Sequence, residues 1–289
     1  MFLPQRPIEI LIFRTSLFAA FLLFSLPVLA QKIAIIAPEN TLISDNFSLK
    51  LSRSFPERFK IMDSALTKTA FSSITFKNPY NLSDEESRLT GSVVGADFFL
   101  VVQTKTLRRY SFERKQYYEA YAAVFTVSSR SGHLIDWRLL NGEAESPDIA
   151  EAALESKSTI AAKEISEIIA KVYAKEVDEK PVKSEGSTDL ENEKSDFRPP
   201  LPYRRIKPDY TVIANLYAVE ATVDILVDID ESGTVTRTRI SRWAGFGLDE
   251  SVKEAVLKMN WRPADRSGKR IATQVLLRYN FKKPEKEQN

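Results

Sequence analysis

Cysteine is absent from the 289 residues, and histidine occurs once, at His133. The first absence excludes disulfides, thiolate zinc sites and cysteine nucleophiles together. It also suits an oxidising compartment, where an unpaired thiol is a liability. A dominant sign of charge is missing too: 41 Lys and Arg against 39 Asp and Glu leave a formal net charge of +2. That balance gives no global argument for nucleic acid or for a strongly acidic partner. The amino-terminal apolar run is also shorter than the ~20 residues needed to span the hydrocarbon of a bilayer.

What is present begins with that run. Arg6 and Arg14 precede an uncharged stretch from Thr15 to Ala30, TSLFAAFLLFSLPVLA, with Pro27 near its end and Val28-Leu29-Ala30 closing it. This is the layout of a secretory signal peptide cleaved after Ala30, with an uncleaved membrane anchor as the alternative. No cysteine follows, so lipid attachment of the lipoprotein type is excluded. The chain as a whole is 43% apolar, sufficient for a sizeable core.

From residue 31 to 174, strand and helix signals alternate. Lys32-Ile33-Ala34-Ile35-Ile36-Ala37, ended by Pro38, reads as a buried strand, and Phe59 to Asp63 as a second. Ser83-Asp84-Glu85-Glu86 has the capping-box pattern and opens a helix to about Val94. Three strands are expected at Phe98–Lys105, Glu119–Ser128 and Leu134–Gly142, the last two joined by a turn at Ser129–Gly132. Ser146-Pro147 starts a helix whose apolar residues, from Ile149 to Val172, predict about 25 amphipathic residues. This β-α-β-α-α-β-β-β-α order, with Ala96-Asp97-Phe98-Phe99-Leu100-Val101-Val102 and Val124-Phe125-Thr126-Val127, resembles the small α/β envelope domains of CsgG, TolB amino-terminal domains and LpoB.

Residues 175 to 202 are rich in Lys, Glu, Asp and Ser and contain Pro181, Pro199, Pro200 and Pro202. Such a stretch buries too little apolar area to offset chain entropy and reads as a flexible linker. Beyond it, Val219, Ala221, Val223, Ile225, Val227 and Ile229 alternate with polar residues, as in a half-buried strand. Asp230-Glu231-Ser232-Gly233 supplies a turn, and Thr234 to Trp243 returns as a second strand. Leu248, Val252, Ala255, Val256 and Met259 recur at helical spacing, and Val275, Leu277, Tyr279 and Phe281 alternate in a final strand.

This hairpin–helix–strand order resembles a TonB carboxy-terminal domain. The residues carrying the likeness are Val223-Asp224-Ile225-Leu226-Val227-Asp228-Ile229-Asp230, Ser232-Gly233-Thr234-Val235, Leu248-Asp249-Glu250-Ser251-Val252, Trp261-Arg262-Pro263-Ala264 and Leu277-Arg278-Tyr279-Asn280-Phe281. The resemblance covers residues 203–283, leaving 284–289 as a charged tail. The fold class expected for the chain is therefore α+β: an amino-terminal α/β domain plus a small TonB-like β-hairpin–α–β domain. The resemblance implies capture of a short extended segment of a partner, such as an outer-membrane transporter, by strand addition. The strand it points to is Gln274, Val275, Leu276, Leu277, Arg278, Tyr279, Asn280 and Phe281. A membrane-anchored energy transducer, single-pass with its bulk in the periplasm, is the alternative. The apolar segment, however, lacks the family's histidine, and the long proline-rich spacer is missing.

Other constellations reduce to structural readings. Asp228 to Gly233 resembles the opening of an EF-hand loop, but position twelve is Arg239 where a bidentate Glu belongs. His133, beside Ser131-Gly132, is expected at a solvated turn without an orienting carboxylate, which does not make a triad. Gly245-Phe246-Gly247 is too short for a dinucleotide fingerprint and reads as a loop feeding the next helix. The basic residues from Arg204 to Arg270, including Arg237, Arg239 and Arg242, form a solvated face or meet an anionic partner such as a cell-wall polymer. No catalytic, metal-binding or cofactor-binding residue and no cofactor is assigned. The expectation is a non-enzymatic, periplasmic, protein-binding component with no nucleic-acid partner.

Overall fold

The computed structural model describes residues 30–178 and 196–283. Three stretches therefore lie outside the described residues: the expected signal segment up to residue 29, residues 179–195 of the expected linker, and the expected charged tail at 284–289. Ala30, the expected cleavage point, is the first described residue and is exposed.

In the first half, β1 (Lys32–Ile36), α1 (Leu42–Arg53), β2 (Lys60–Ile61), α2 (Ser64–Ser72), α3 (Asp84–Val94) and β3 (Phe98–Arg109) lead into an antiparallel β4 (Tyr117–Ser128) and β5 (Leu134–Ala144). The strands form one sheet in the order β2-β1-β3-β4-β5, with β1 parallel to both of its neighbours. α3 begins as its sequence predicts: the Glu86 amide donates to Ser83 Oγ (3.2 Å) and the Ser83 amide to Glu86 Oε2 (2.7 Å). The long helix expected after Pro147 is two helices, α4 (Pro147–Ser156) and α5 (Ser158–Asp178). At the break, the Lys157 amide bonds back to Leu154 O (3.0 Å) in a tight last turn. The bend lets Ala150 and Leu154 on one helix, and Ala161, Ile165 and Ile169 on the other, reach the same core.

Alternation along β1, β3 and β4 divides their side chains between two faces. Ile33, Phe98, Leu100, Val102, Ala120, Ala122 and Val124 are covered by α1, α4 and α5. Ala34, Ile36, Phe99, Val101, Ala123, Phe125 and Val127 belong to a second core, completed by residues of the carboxy-terminal half. Burial on both faces explains why Phe98 to Val102 reads as an unbroken apolar run.

The second half contains β6 (Phe197–Arg198), β7 (Leu201–Pro202), α6 (Val212–Leu216), β8 (Ala221–Ile229), β9 (Val235–Arg242) and α7 (Leu248–Leu257). β10 (Trp261–Arg262), β11 (Ala264–Arg266), β12 (Lys269–Ile271) and β13 (Thr273–Phe281) follow. The main sheet has the order β13-β8-β9, with α7 packed on it. β6 pairs with β11 and β7 with β10. The stretch expected as linker over 175–202 is thus structured at both ends: residues 175–178 finish α5, and 197–198 and 201–202 are pairing strands. Pro202 is tolerated there because a two-residue edge strand needs little from its missing N–H.

Candidate partner-docking edge and its anchoring

All eight residues expected to bind a partner, Gln274 to Phe281, fall on β13. Each pairs with β8, from Thr273 opposite Ile229 to Phe281 opposite Ala221. Val275, Leu277 and Tyr279 are half-buried and Phe281 is buried, while Gln274, Leu276, Arg278 and Asn280 are exposed. On its other side β13 has no strand neighbour among the described residues. Its outer N–H and C=O groups are therefore a template for another strand. Three of the exposed side chains are held inward. Gln274 Nε2 donates to Asp228 Oδ1 (2.6 Å), Thr222 Oγ1 donates to Asn280 Oδ1 (2.8 Å), and Arg278 grips Asp224 with Nε (2.7 Å) and a terminal nitrogen (2.9 Å).

Asp224 is buried and also faces Arg242 Nε at 3.4 Å. Arg242 reaches across to the first half, donating to Asn81 O and to Glu86 Oε2, each at 2.8 Å. Glu86 therefore caps its own helix and receives Arg242 with the same oxygen. Asn81 completes the pairing: its Nδ2 donates to Thr222 O (2.8 Å) and Trp243 O (2.5 Å), and its Oδ1 accepts from the Thr222 amide (2.9 Å). Three residues earlier on β9, Arg239 binds the buried Asp84, with His133 Nε2 3.1 Å from Arg239 and 3.6 Å from Asp84. Burial pushes the Asp84 carboxyl up to about 6, although Arg239 works the other way. Burial, then the positive charges of Arg239, Arg88 and Arg237, holds His133 below the ordinary imidazole range. The expectation for His133 is thus corrected: a carboxylate does lie beside it, in a contact between the two halves. The solvated basic face is likewise corrected at Arg239 and Arg242, which anchor one half of the chain to the other.

The family described as Gram-negative bacterial TonB protein C-terminal matches residues 206–282. Residues 206–282 are a TonB carboxy-terminal domain. Among solved structures, the TonB carboxy-terminal domain of Pseudomonas aeruginosa is similar at 24% identity, covering 30% of this chain and 90% of that one, with a TM-score of 0.27. A lipoprotein of Neisseria meningitidis is 13% identical over 50% of this chain and 99% of its own (TM-score 0.30). A hypothetical protein of Chlamydia trachomatis is 14% identical over 50% and 94% (TM-score 0.27). No curated protein matches the chain. The assignment rests on the family match, and it groups the chain with proteins of the bacterial cell envelope.

The TonB domain also presents aromatic side chains to the open face of the first sheet. Trp243 stacks on Phe125 (centroids 5.0 Å apart), and Phe246 lies 5.4 Å from Trp137 and 6.1 Å from Phe125. Phe246 is delivered by Gly245 and Gly247, both at positive φ, and a Cβ on Gly245 would sit 2.8 Å from the Phe125 ring. Asp249 holds this loop, accepting from the Ala244 (3.0 Å) and Gly245 (2.9 Å) amides. Burial raises its carboxyl to about 6 against those hydrogen bonds. At the far end of the contact, buried Glu119 accepts from Tyr217 (2.5 Å), Arg109 (2.7 Å) and Asn141 (3.1 Å). Burial alone would raise Glu119, but these three donors outweigh it and hold the carboxyl low. Each buried acid thus has a structural partner, as buried charge requires. Among the described residues, no group of three or more His, Cys, Asp or Glu is placed to hold a metal ion, and no helix is long and apolar enough to cross a membrane.

Proposed function

We propose that this protein is a periplasmic adaptor of the cell envelope that binds an extended segment of a protein partner along β13 and carries out no catalysis. The observation that carries the reading is the open outer edge of a nine-residue strand, in a domain of the TonB carboxy-terminal family. Backbone pairing along that edge supplies affinity, and the alternating side chains set the register. The polar and aromatic contacts between the halves support one further element. The edge is presented at a fixed orientation to the α/β domain, not swung on a tether.

Proline scanning along Gln274 to Asn280 tests this. Proline cannot donate a ladder hydrogen bond, so it is tolerated in a strand only where the N–H points away from the sheet. One alternating set of variants is expected to lose the fold. The other is expected to keep its circular dichroism spectrum and lose capture of envelope proteins by a photo-cross-linker placed at Leu276. Folded proline variants that still cross-link like the parent would refute strand addition.

A further inference from the structure

The β3–β4 hairpin, paired as far as Arg109 opposite Tyr117, ends in residues 110–116. Its turn is tight: the Arg114 amide donates to Ser111 Oγ (3.0 Å), and the Ser111 amide to Arg114 O (2.9 Å). This closure places Phe112 at the apex with its side chain fully out, at 106% relative exposure, and Tyr110 beside it at 65%. Arg108, Arg114 and Lys115 are exposed on the same hairpin end; Arg114 is paired with Glu143 (2.5 Å), which leaves Arg108 and Lys115 to face solvent beside the acid Glu113. Arg108 lies over the Tyr110 ring (5.2 Å to the centroid) and Arg114 over Tyr117 (4.0 Å), so the cations are held close to the aromatics. Beside the hairpin, Arg109 donates to Leu216 O (3.3 Å) and pins α6, whose Val212 and Leu216 are 85% and 53% exposed.

We infer that this tip is a peripheral membrane anchor: Phe112 and Tyr110 lodge in the interface of an anionic lipid bilayer, with Arg108 and Lys115 against its headgroups. Phe112 stands fully exposed at the apex, so it enters a bilayer interface without any change in the hairpin, and exposed cations flank it on the same turn. Tyrosine suits the wet boundary, with its ring toward the chains and its hydroxyl toward water. The basic residues match the negative surface of an anionic leaflet, and their signal adds to the apolar one, as stable anchoring requires. Val212 and Leu216 extend the apolar footprint along the same end of the molecule. This inference stands apart from strand addition at β13, because it concerns a different strand pair.

The chain has no cysteine, so one introduced thiol is a unique label. Ser111→Cys carrying an environment-sensitive fluorophore reports the tip, and Ser232→Cys, in the β8–β9 turn, serves as the reference. Both are made in the full chain and mixed with vesicles of phosphatidylcholine alone, or with roughly one-third phosphatidylglycerol. The label at Ser111 is expected to brighten and shift to the blue on the anionic vesicles, with the Ser232 label unchanged. Because the signal is local, attachment of the chain by its amino-terminal apolar segment does not imitate it. Replacing Arg108 and Lys115 by Gln is expected to weaken the partition of the tip about fivefold per charge removed. Phe112→Ser is expected to weaken it by at least about tenfold. An unchanged Ser111 signal on anionic vesicles would overturn the inference. So would an equal response at Ser232, or a response that the charge and Phe112 substitutions leave intact.

Discussion

Replacing Trp243 by Ala tests whether the two halves are one cooperative unit. Trp243 belongs to the TonB domain but is 1% exposed and stacks on Phe125 of the first sheet. Removing a buried Trp costs about 3–5 kcal/mol, and the lost ring pair adds about 1 kcal/mol. That is a large part of the ~5–15 kcal/mol that holds a typical domain folded. The reasoning places the loss on both halves, because the same core includes Phe99, Val101 and Phe125 on one side and Val223, Ile225 and Val252 on the other. Native-state hydrogen exchange read by mass spectrometry separates the cases. Amides of β3 and β4 are expected to lose protection together with those of β8. The reciprocal substitution, Leu154→Ala in the helix-covered core, is expected to loosen β8 as well. If Trp243→Ala exposed β8 while leaving β3 and β4 as protected as before, the halves would be independent modules and the fixed presentation of β13 would be wrong.

Two further outcomes follow from the buried acids and from the glycines. Asp84 and Asp249 are raised from 3.8 to about 6, so the folded chain keeps their protons over a range where the unfolded chain releases them. The stability they contribute is full below the unfolded value and is lost as pH rises through about 6; His133, held low, works in the opposite direction. Asp249→Asn is therefore expected to remove about 1 kcal/mol of the stabilisation gained between about pH 7 and about pH 5, read from urea midpoints; identical pH slopes for the two proteins would contradict this. Gly95 and Gly132 both have positive φ, but only Gly132 is confined, where a Cβ would meet the Asp84 carbonyl oxygen at 2.2 Å. Gly95→Ala is expected to cost about 1 kcal/mol and Gly132→Ala more than about 2 kcal/mol in thermal denaturation, because backbone cannot yield as a side chain can. Equal costs would show that conformation alone sets both.

Local pattern carried much of this fold into the sequence. The period-two alternation in β8 and β13, the Ser83–Glu86 cap and the 129–132 turn are short-range devices, and they stand where the residues predict. The strand β13 was legible for the same reason: its alternation continues to Phe281. The union of the halves was not. Arg239 and Arg242 meet Asp84 and Glu86 from 155 and 156 residues away, and nothing in a charged, alternating strand distinguishes such partners from water. Phe246 did leave a trace, since a large ring between two glycines is costly to expose without a reason. His133 was misjudged because its carboxylate lies on another element. The break at Lys157 was hidden because the apolar spacing continues through it.

The two-sided first sheet has a consequence for how the protein is made. One of its faces is closed by helices that follow soon in the chain, but the other waits for Trp243 and Phe246. A chain leaving a ribosome or a translocation pore amino end first would carry the part of that face around Phe125 without its carboxy-terminal cover until Trp243 and Phe246 emerge. Such a surface is sticky by the same physics that later closes it. Vectorial synthesis thus calls for a holding chaperone during that interval, and chains stopped at Asp178 would be expected in aggregates, even though every strand of their sheet is present.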